Sequence, residues 1–270
     1  MADPILRDGC SQAPRCSVVV LAALVAAMGS GSSVAAAAPD DSSPDWSYAG
    51  ESGPAHWGEL AAANETCAKG LSQSPINLSQ TQPVVFTPLS FQYRSQRLEA
   101  VNRGHGVHVL SPPGSALLVR GDAYDLEEFN FHVPGEHGFN GVTAEAEIHL
   151  VHRDRQGGYV IVAVPVRAGE RENRILSRIL DYLPMRSGEQ VRYRQVGINP
   201  IFLLPNDHSY FRYEGSLVTP PCTEPVLWFV MREALEVSPW QIQRMAQAVG
   251  TNARPLQPLN GRPVFSLFRQ

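Results

Sequence analysis

Alternation of apolar and polar residues with a period of two runs through much of the chain. "LSFQYRS" (89–95) alternates, and "GVHVLS" (106–111) and "ALLVRG" (116–121) are rich in β-formers and separated by the turn "PPG". "YDLEEFNFHV", "AEIHLVHR" and "GYVIVAVPVR" follow, and "PVLWFVM" comes late in the chain. Two segments break the pattern. "ENRILSRILDYL" spaces Ile175, Ile179 and Leu183 as a helix does, with Leu176 and Leu180 beside them. "SPWQIQRMAQAV" opens with Ser238 as an N-cap and Pro239 at the first helical position. Many strands with Gly and Pro between them, and two helices without reactive residues, predict a mostly β single domain with peripheral helices over 46–270.

The N-terminus is patterned differently. Arg7 and Arg15 precede the apolar run "SVVVLAALVAAM", and small residues, "GSGSSVAAAA", come after it. Basic, apolar and small segments in this order read as a secretory signal peptide over 1–38, cleaved among Ala35 to Ala38. The run is short for a bilayer span, and the alternative is an uncleaved anchor. Residues 39–45 are polar and expected to be disordered. The protein is thus expected to be exported, periplasmic or secreted, with no transmembrane anchor after cleavage. Cleavage leaves two cysteines, Cys67 and Cys222, which in an oxidising compartment are read as one disulfide rather than two buried thiols.

Composition adds limits. The 270 residues are 43% hydrophobic, enough for a sizeable core. A formal charge of −4 argues against nucleic acid as partner, and no phosphate-cradling glycine loop occurs.

The candidate chemistry lies on strand faces. In "EEFNFHV", Glu128, Asn130 and His132 share one face and Phe129 and Phe131 the other. In "AEIHLVH", Glu147, His149 and Val151 share a face. If these strands pair, His132 and His149 converge. Two strand histidines alone more often form a satisfied structural pair than a metal site, since catalytic zinc takes three protein ligands and a water.

The wider sequence shifts that balance. "HWGEL", "QSPINL", "NRGHGVHV", "FNFHVPGEH", "AEIHLVH", "GSLVTPPCTEPVLWFVM" and "RPLQPLNGRPVF" occur in this order. Together, from about Trp46 to Phe268, they resemble the α-class carbonic anhydrases, especially exported bacterial ones. The resemblance implies a large, mostly antiparallel twisted sheet with a conical cleft, zinc as cofactor, and reversible hydration of CO2 to bicarbonate and a proton. It also implies the Cys67–Cys222 pairing. By the resemblance His132 and His149 match two zinc ligands, and Glu147 the carboxylate that orients His149. His105 matches the proton shuttle, a task suited to a side chain that titrates near neutral pH. Glu136 matches the glutamate behind the catalytic threonine. Val151, Ile161, Leu217 and Trp228 match the apolar CO2 pocket, and Tyr48 a tyrosine that orders water.

The chain departs from the family at four places. Asn130 stands where the first zinc histidine belongs. Val218, in "SLVTPP", stands where the first threonine of "SLTTPP" belongs, ahead of Thr219. Glu128 replaces a glutamine, and His108 replaces Asn or Gln. An amide oxygen is a poorer zinc ligand than imidazole, so zinc is expected to bind at least about 10–100-fold more weakly or not at all. Valine cannot relay a hydrogen bond to Glu136, which is worth roughly 10²–10³ in rate. His108 or Glu128 could replace the lost ligand; the favoured expectation is that His108 lines the cleft and Glu128 bonds Asn130. His137, His152 and His208 are read as surface or satisfied histidines, and His56 as a packing residue.

Two classes of function follow. One is a weakly active enzyme acting on CO2 and bicarbonate. The other is an inactive relative that binds through its cleft or surface, with no protein or glycan partner named by the sequence.

Overall fold

The computed structural model describes residues 46–85 and 87–268, all within one compact unit. The expected signal peptide and the 39–45 segment lie outside the described residues. Among the described residues no helix is long and apolar enough to cross a membrane.

A 13-stranded sheet dominates. Its main path runs Gln82–Val84, Phe265–Leu267, Tyr210–Gly215, Val226–Met231, Tyr159–Ala168, Ala146–Arg153, Asp122–His132, Val107–Leu110, Gln96–Asn102 and Gln190–Ile198. Most neighbours are antiparallel. Gln82–Val84 with Phe265–Leu267, and Tyr159–Ala168 with both Val226–Met231 and Leu235–Val237, are parallel. The mostly β domain expected from the alternation forms, with the mostly antiparallel sheet that the resemblance implied.

Directly paired residues share a face of the sheet, so the register assigns the faces. One face carries Phe129 opposite Leu150, with Val162 and Phe229 continuing the row, and Phe131 opposite Ile148 and then Val164. These seven side chains are buried in the main core together with Leu176, Ile179, Leu180 and Met245. The last four come from the two helices, Arg174–Leu180 and Pro239–Val249, which cover this face as packing elements. Asn173 caps the first, accepting from the backbone N–H groups of Ile175 and Leu176, and that helix ends at Leu180, before the Leu183 that its apolar spacing included. Ser238 and Gln241 form a reciprocal capping box on the second.

The opposite face carries the polar residues. A register shift between Leu126 and Glu128 inserts one residue into the 122–132 strand. It lets Leu126 and Phe129 both reach the core although they are an odd number of residues apart. Beyond the shift Glu128, Asn130 and His132 point together to the other face, opposite Val151, His149 and Glu147. A disulfide joins Cys67 to Cys222, a separation of 155 residues in sequence.

Candidate metal centre

The sheet register brings the candidate residues together. Asn130 sits between His108 on one neighbouring strand and His149 on the other. The next row runs Glu128, Val151, Ile161, Trp228 and Tyr213 across five strands. Val151, Ile161, Val218 and Trp228 are buried in one apolar cluster, with Leu217 packed against it. The four residues expected to form a pocket therefore share one apolar wall, and Val218 belongs to it. Thr219 is half-buried, and its carbonyl accepts from the backbone N–H of Cys222.

His132 and His149 are both buried, with ring centroids 4.3 Å apart. His132 Nδ1 lies 2.9 Å from the carbonyl of Asn252. A carbonyl only accepts, so Nδ1 carries the proton and Nε2 the lone pair. His149 Nε2 lies 2.7 Å from Glu147 Oε1 and donates to it. Nδ1 of His149 makes no hydrogen bond among the described residues. Burial lowers the pKa of both histidines, so both rings are neutral near pH 7.

Glu147 is the hub behind this pair. Its Oε1 accepts from His149 and, at 2.6 Å, from His137 Nδ1. Its Oε2 accepts the backbone N–H groups of Glu136 and His137 at 3.2 and 3.0 Å. Burial pushes the carboxyl up, but the His137 and His149 contacts outweigh it and hold the pKa well below the usual range. The chain continues outward. Tyr213 donates to His137 Nε2 over 2.7 Å, and Ser74 donates to Tyr213 over 2.9 Å. Every proton in this series has one direction, and the series fixes His149 with its lone pair on Nδ1.

Glu136 is in a different condition. It is buried, and Oε1 accepts the backbone N–H of Arg254 at 2.8 Å. Oε2 has no hydrogen-bond partner among the described residues. Burial raises its pKa well above the ordinary value. Both are what burial does to a carboxyl oxygen that has no donor.

Two triads of possible ligands are compact enough for a metal ion: His132, Glu136 and His149, and His137, Glu147 and His149. In both, the histidine nitrogens facing the carboxylates are those already engaged with Asn252 or Glu147. These triads are hydrogen-bonded supports. The ring nitrogens left outside these supports are His132 Nε2 and His149 Nδ1.

Around that opening the structure corrects one expectation. Glu128 does not bond Asn130. It accepts from His108 Nδ1 at 2.8 Å and from Arg103 at 2.8 and 3.3 Å. Burial pushes its carboxyl up, but His108 and then Arg103 bring it down to about 2. Both carboxylate oxygens of Glu128 are therefore engaged by His108 and Arg103. Asn130 Oδ1 lies instead 3.0 Å from His132 Nε2. His105 stacks on Trp46 at 3.8 Å between centroids, and Tyr48 and Trp57 pack edge-on to Trp46.

The remaining histidines sort as follows. His137 and His152 are buried and satisfied, the latter by Tyr93 and the Val160 carbonyl. His208 is half-buried against Phe91. His56 is not a packing residue: it is exposed and lies 3.6 Å from Glu59.

A family model described as eukaryotic-type carbonic anhydrase matches residues 52–268. The chain belongs to this, the α-class carbonic anhydrase family. A carbonic anhydrase from Nostoc is 38% identical over 230 residues, covering 82% of this chain and 85% of the relative. The α-carbonic anhydrase structure from Photobacterium profundum superposes with a TM-score of 0.76 at 40% identity, covering 82% of this chain and all of that one. A dioscorin solved with ascorbate superposes with a TM-score of 0.78 at 33% identity, covering 84% and 99%.

The α-carbonic anhydrases are zinc enzymes, and the donor set here can be tested against that ion. Two imidazoles offer lone pairs with their other nitrogens anchored, as a zinc site requires. The third donor is the Asn130 amide, and Glu136 is left with an orphaned oxygen. The residues present do not fit a three-histidine zinc centre.

Sequence reasoning did not assign roles to Asn252, Arg254, Tyr213, Ser74 or Arg103. Asn252 holds His132 by its carbonyl and clamps the strand end by its amide, bonding Val133 N and Phe131 O. Arg254 is buried, and its guanidinium donates to Gln73, Ser74 and Cys67. It stands in the quoted "RPLQPLNGRPVF" stretch, and that motif was its only signal.

Proposed function

We propose that this protein is an exported α-carbonic-anhydrase relative whose cleft holds zinc weakly or not at all and hydrates CO2 slowly or not at all. Zinc, where this family binds it, supplies a water made acidic enough to lose a proton near neutral pH. No step is assigned through zinc here, because the donors do not fit it. What the chain's own residues do is narrower. Val151, Ile161, Leu217 and Trp228 offer a dry wall for a small apolar molecule such as CO2. Glu147 and Asn252 orient two imidazoles, and His105 stands against Trp46 as a group able to carry a proton to solvent. Export is supported by the leader-like N-terminal pattern and the disulfide.

The observation that carries this reading is the buried, orphaned Glu136 Oε2; Val218, which by the resemblance stands where a threonine would donate to it, offers only methyl groups. Losing one preorganised hydrogen bond of this kind costs roughly 10²–10³ in rate, separately from any loss of metal. Zinc analysis of the mature protein with stopped-flow CO2 hydration tests it. Substoichiometric zinc with slow or absent hydration is expected; one tightly held zinc per chain with fast hydration overturns it.

A second reading, binding without turnover, is favoured by the relative solved with ascorbate. The rim of Arg103, His108 and Glu128 gives the cleft a polar edge above its apolar wall. Calorimetric titration with ascorbate tests it: saturable binding abolished by His108→Ala supports it, and no heat at millimolar ligand removes it.

A further inference from the structure

The geometry points to Asn130 acting as a built-in cap on the cleft, its side-chain N–H donating to His132 Nε2 and holding the lone pair that a metal would take. This deepens the reading of a cleft that binds zinc poorly, and rests on it.

The argument is one of donors and acceptors. His132 Nδ1 faces a backbone carbonyl at 2.9 Å, so it must carry the ring's proton. Nε2 of the neutral ring is then an acceptor. The Asn130 side-chain atom placed 3.0 Å away is Oδ1, also an acceptor. Two lone pairs at that distance repel. The oxygen and nitrogen of an amide have nearly the same shape, and their assignment follows from the surrounding bonds. Asn130's side chain makes no other hydrogen bond among the described residues, so nothing opposes turning it over. Turned, Nδ2 donates to Nε2 at the same distance, and His132 has both nitrogens satisfied. The amide is half-buried, opposite His149 and His108 on the two flanking strands, and Glu128 is occupied by Arg103 and His108. Neither flanking histidine makes a hydrogen bond to it.

A cap and a ligand make opposite predictions for one substitution. Asn130→Ala removes the side chain. If Asn130 caps His132, zinc no longer displaces a hydrogen bond. A bond of ordinary strength then corresponds to about two- to tenfold tighter zinc binding in the variant. If Asn130 were instead a zinc ligand through Oδ1, the variant would bind zinc at least about tenfold more weakly. Calorimetric titration of the metal-stripped full chain with zinc chloride reads the sign, and weaker or equal binding in the variant overturns the proposal.

A second measurement stands where zinc binds to neither protein. Long-range ¹H–¹⁵N spectra of the metal-free protein report which ring nitrogen of His132 carries the proton. The expected result is a proton on Nδ1 alone, with the Nε2 resonance moving towards that of a free lone pair in Asn130→Ala. A proton on Nε2, or an Nε2 resonance unmoved by the substitution, overturns the cap. These spectra do not depend on CO2 hydration, so failure here leaves the proposed function standing, and fast hydration with the expected spectra would leave the cap standing.

Discussion

The two sides of the cleft have been treated differently. On the Glu147 side, four donors converge on one buried carboxylate, and the series continues through His137 and Tyr213 to Ser74. On the Glu136 side, one buried oxygen is left without a partner, and an amide meets the histidine where a third imidazole belongs. The contrast separates what the fold needs from what the chemistry needs. The Glu147 series ties two strands, Ala146–Arg153 and Tyr210–Gly215, to the loop segments that carry Glu136, His137 and Ser74, so it serves stability whether or not a metal is present. Asn130 and Val218 stand outside that series: among the described residues the Asn130 side chain bonds only His132, and Val218 lies in the apolar wall. A binding site can thus lose its reactive contacts while its supports persist.

The comparison can be broken most strongly at the hub. Glu147→Ala strands the N–H groups of His137 and His149 and two backbone N–H groups in the interior. A loss of about 3–5 kcal/mol is expected in denaturant unfolding, with no dependence on added zinc. A loss below 1 kcal/mol would show that the series is not structural.

Repair of the other side is the next test. Asn130→His with Val218→Thr supplies the missing imidazole and the missing donor to Glu136. Hydration of CO2 should rise by roughly 10²–10³-fold, with zinc bound stoichiometrically, as read by stopped flow and metal analysis. In the repaired protein, His105→Ala should then slow turnover at low buffer concentration. No gain in either zinc or rate would mean that the two positions are not the damaged ones.

A smaller effect separates buried histidines that serve only the fold. Burial lowers His152 to about 4. The unfolded chain takes up a proton near 6.5 and the folded one does not, so stability is lost as pH falls from about 6.5 to about 4 and is unaffected above that window. The difference amounts to roughly 3 kcal/mol. Unfolding midpoints at pH 7 and 4.5 should diverge less in His152→Gln than in the parent; equal acid sensitivity would assign the loss elsewhere.

Much of this was legible in the chain. Alternation alone put Glu128, Asn130 and His132 on one face and Phe129 and Phe131 on the other, and the register bears that out. The helices were legible from apolar spacing and caps. The extra residue between Leu126 and Glu128 was not, because a bulge leaves no trace in a short alternating run. The partner of Glu128 was misjudged for a different reason: Asn130 is its neighbour in sequence, whereas His108 and Arg103 approach from another strand and its connecting loop. The support for His132 is a backbone carbonyl, which no side-chain pattern can announce.

The donors around His132 and His149 are proposed to hold zinc more loosely than the family reaction requires. The most direct measurement is the zinc content of the mature protein after dialysis against a mild chelator. The account predicts well below one zinc per chain; one zinc per chain, retained through dialysis, would contradict it.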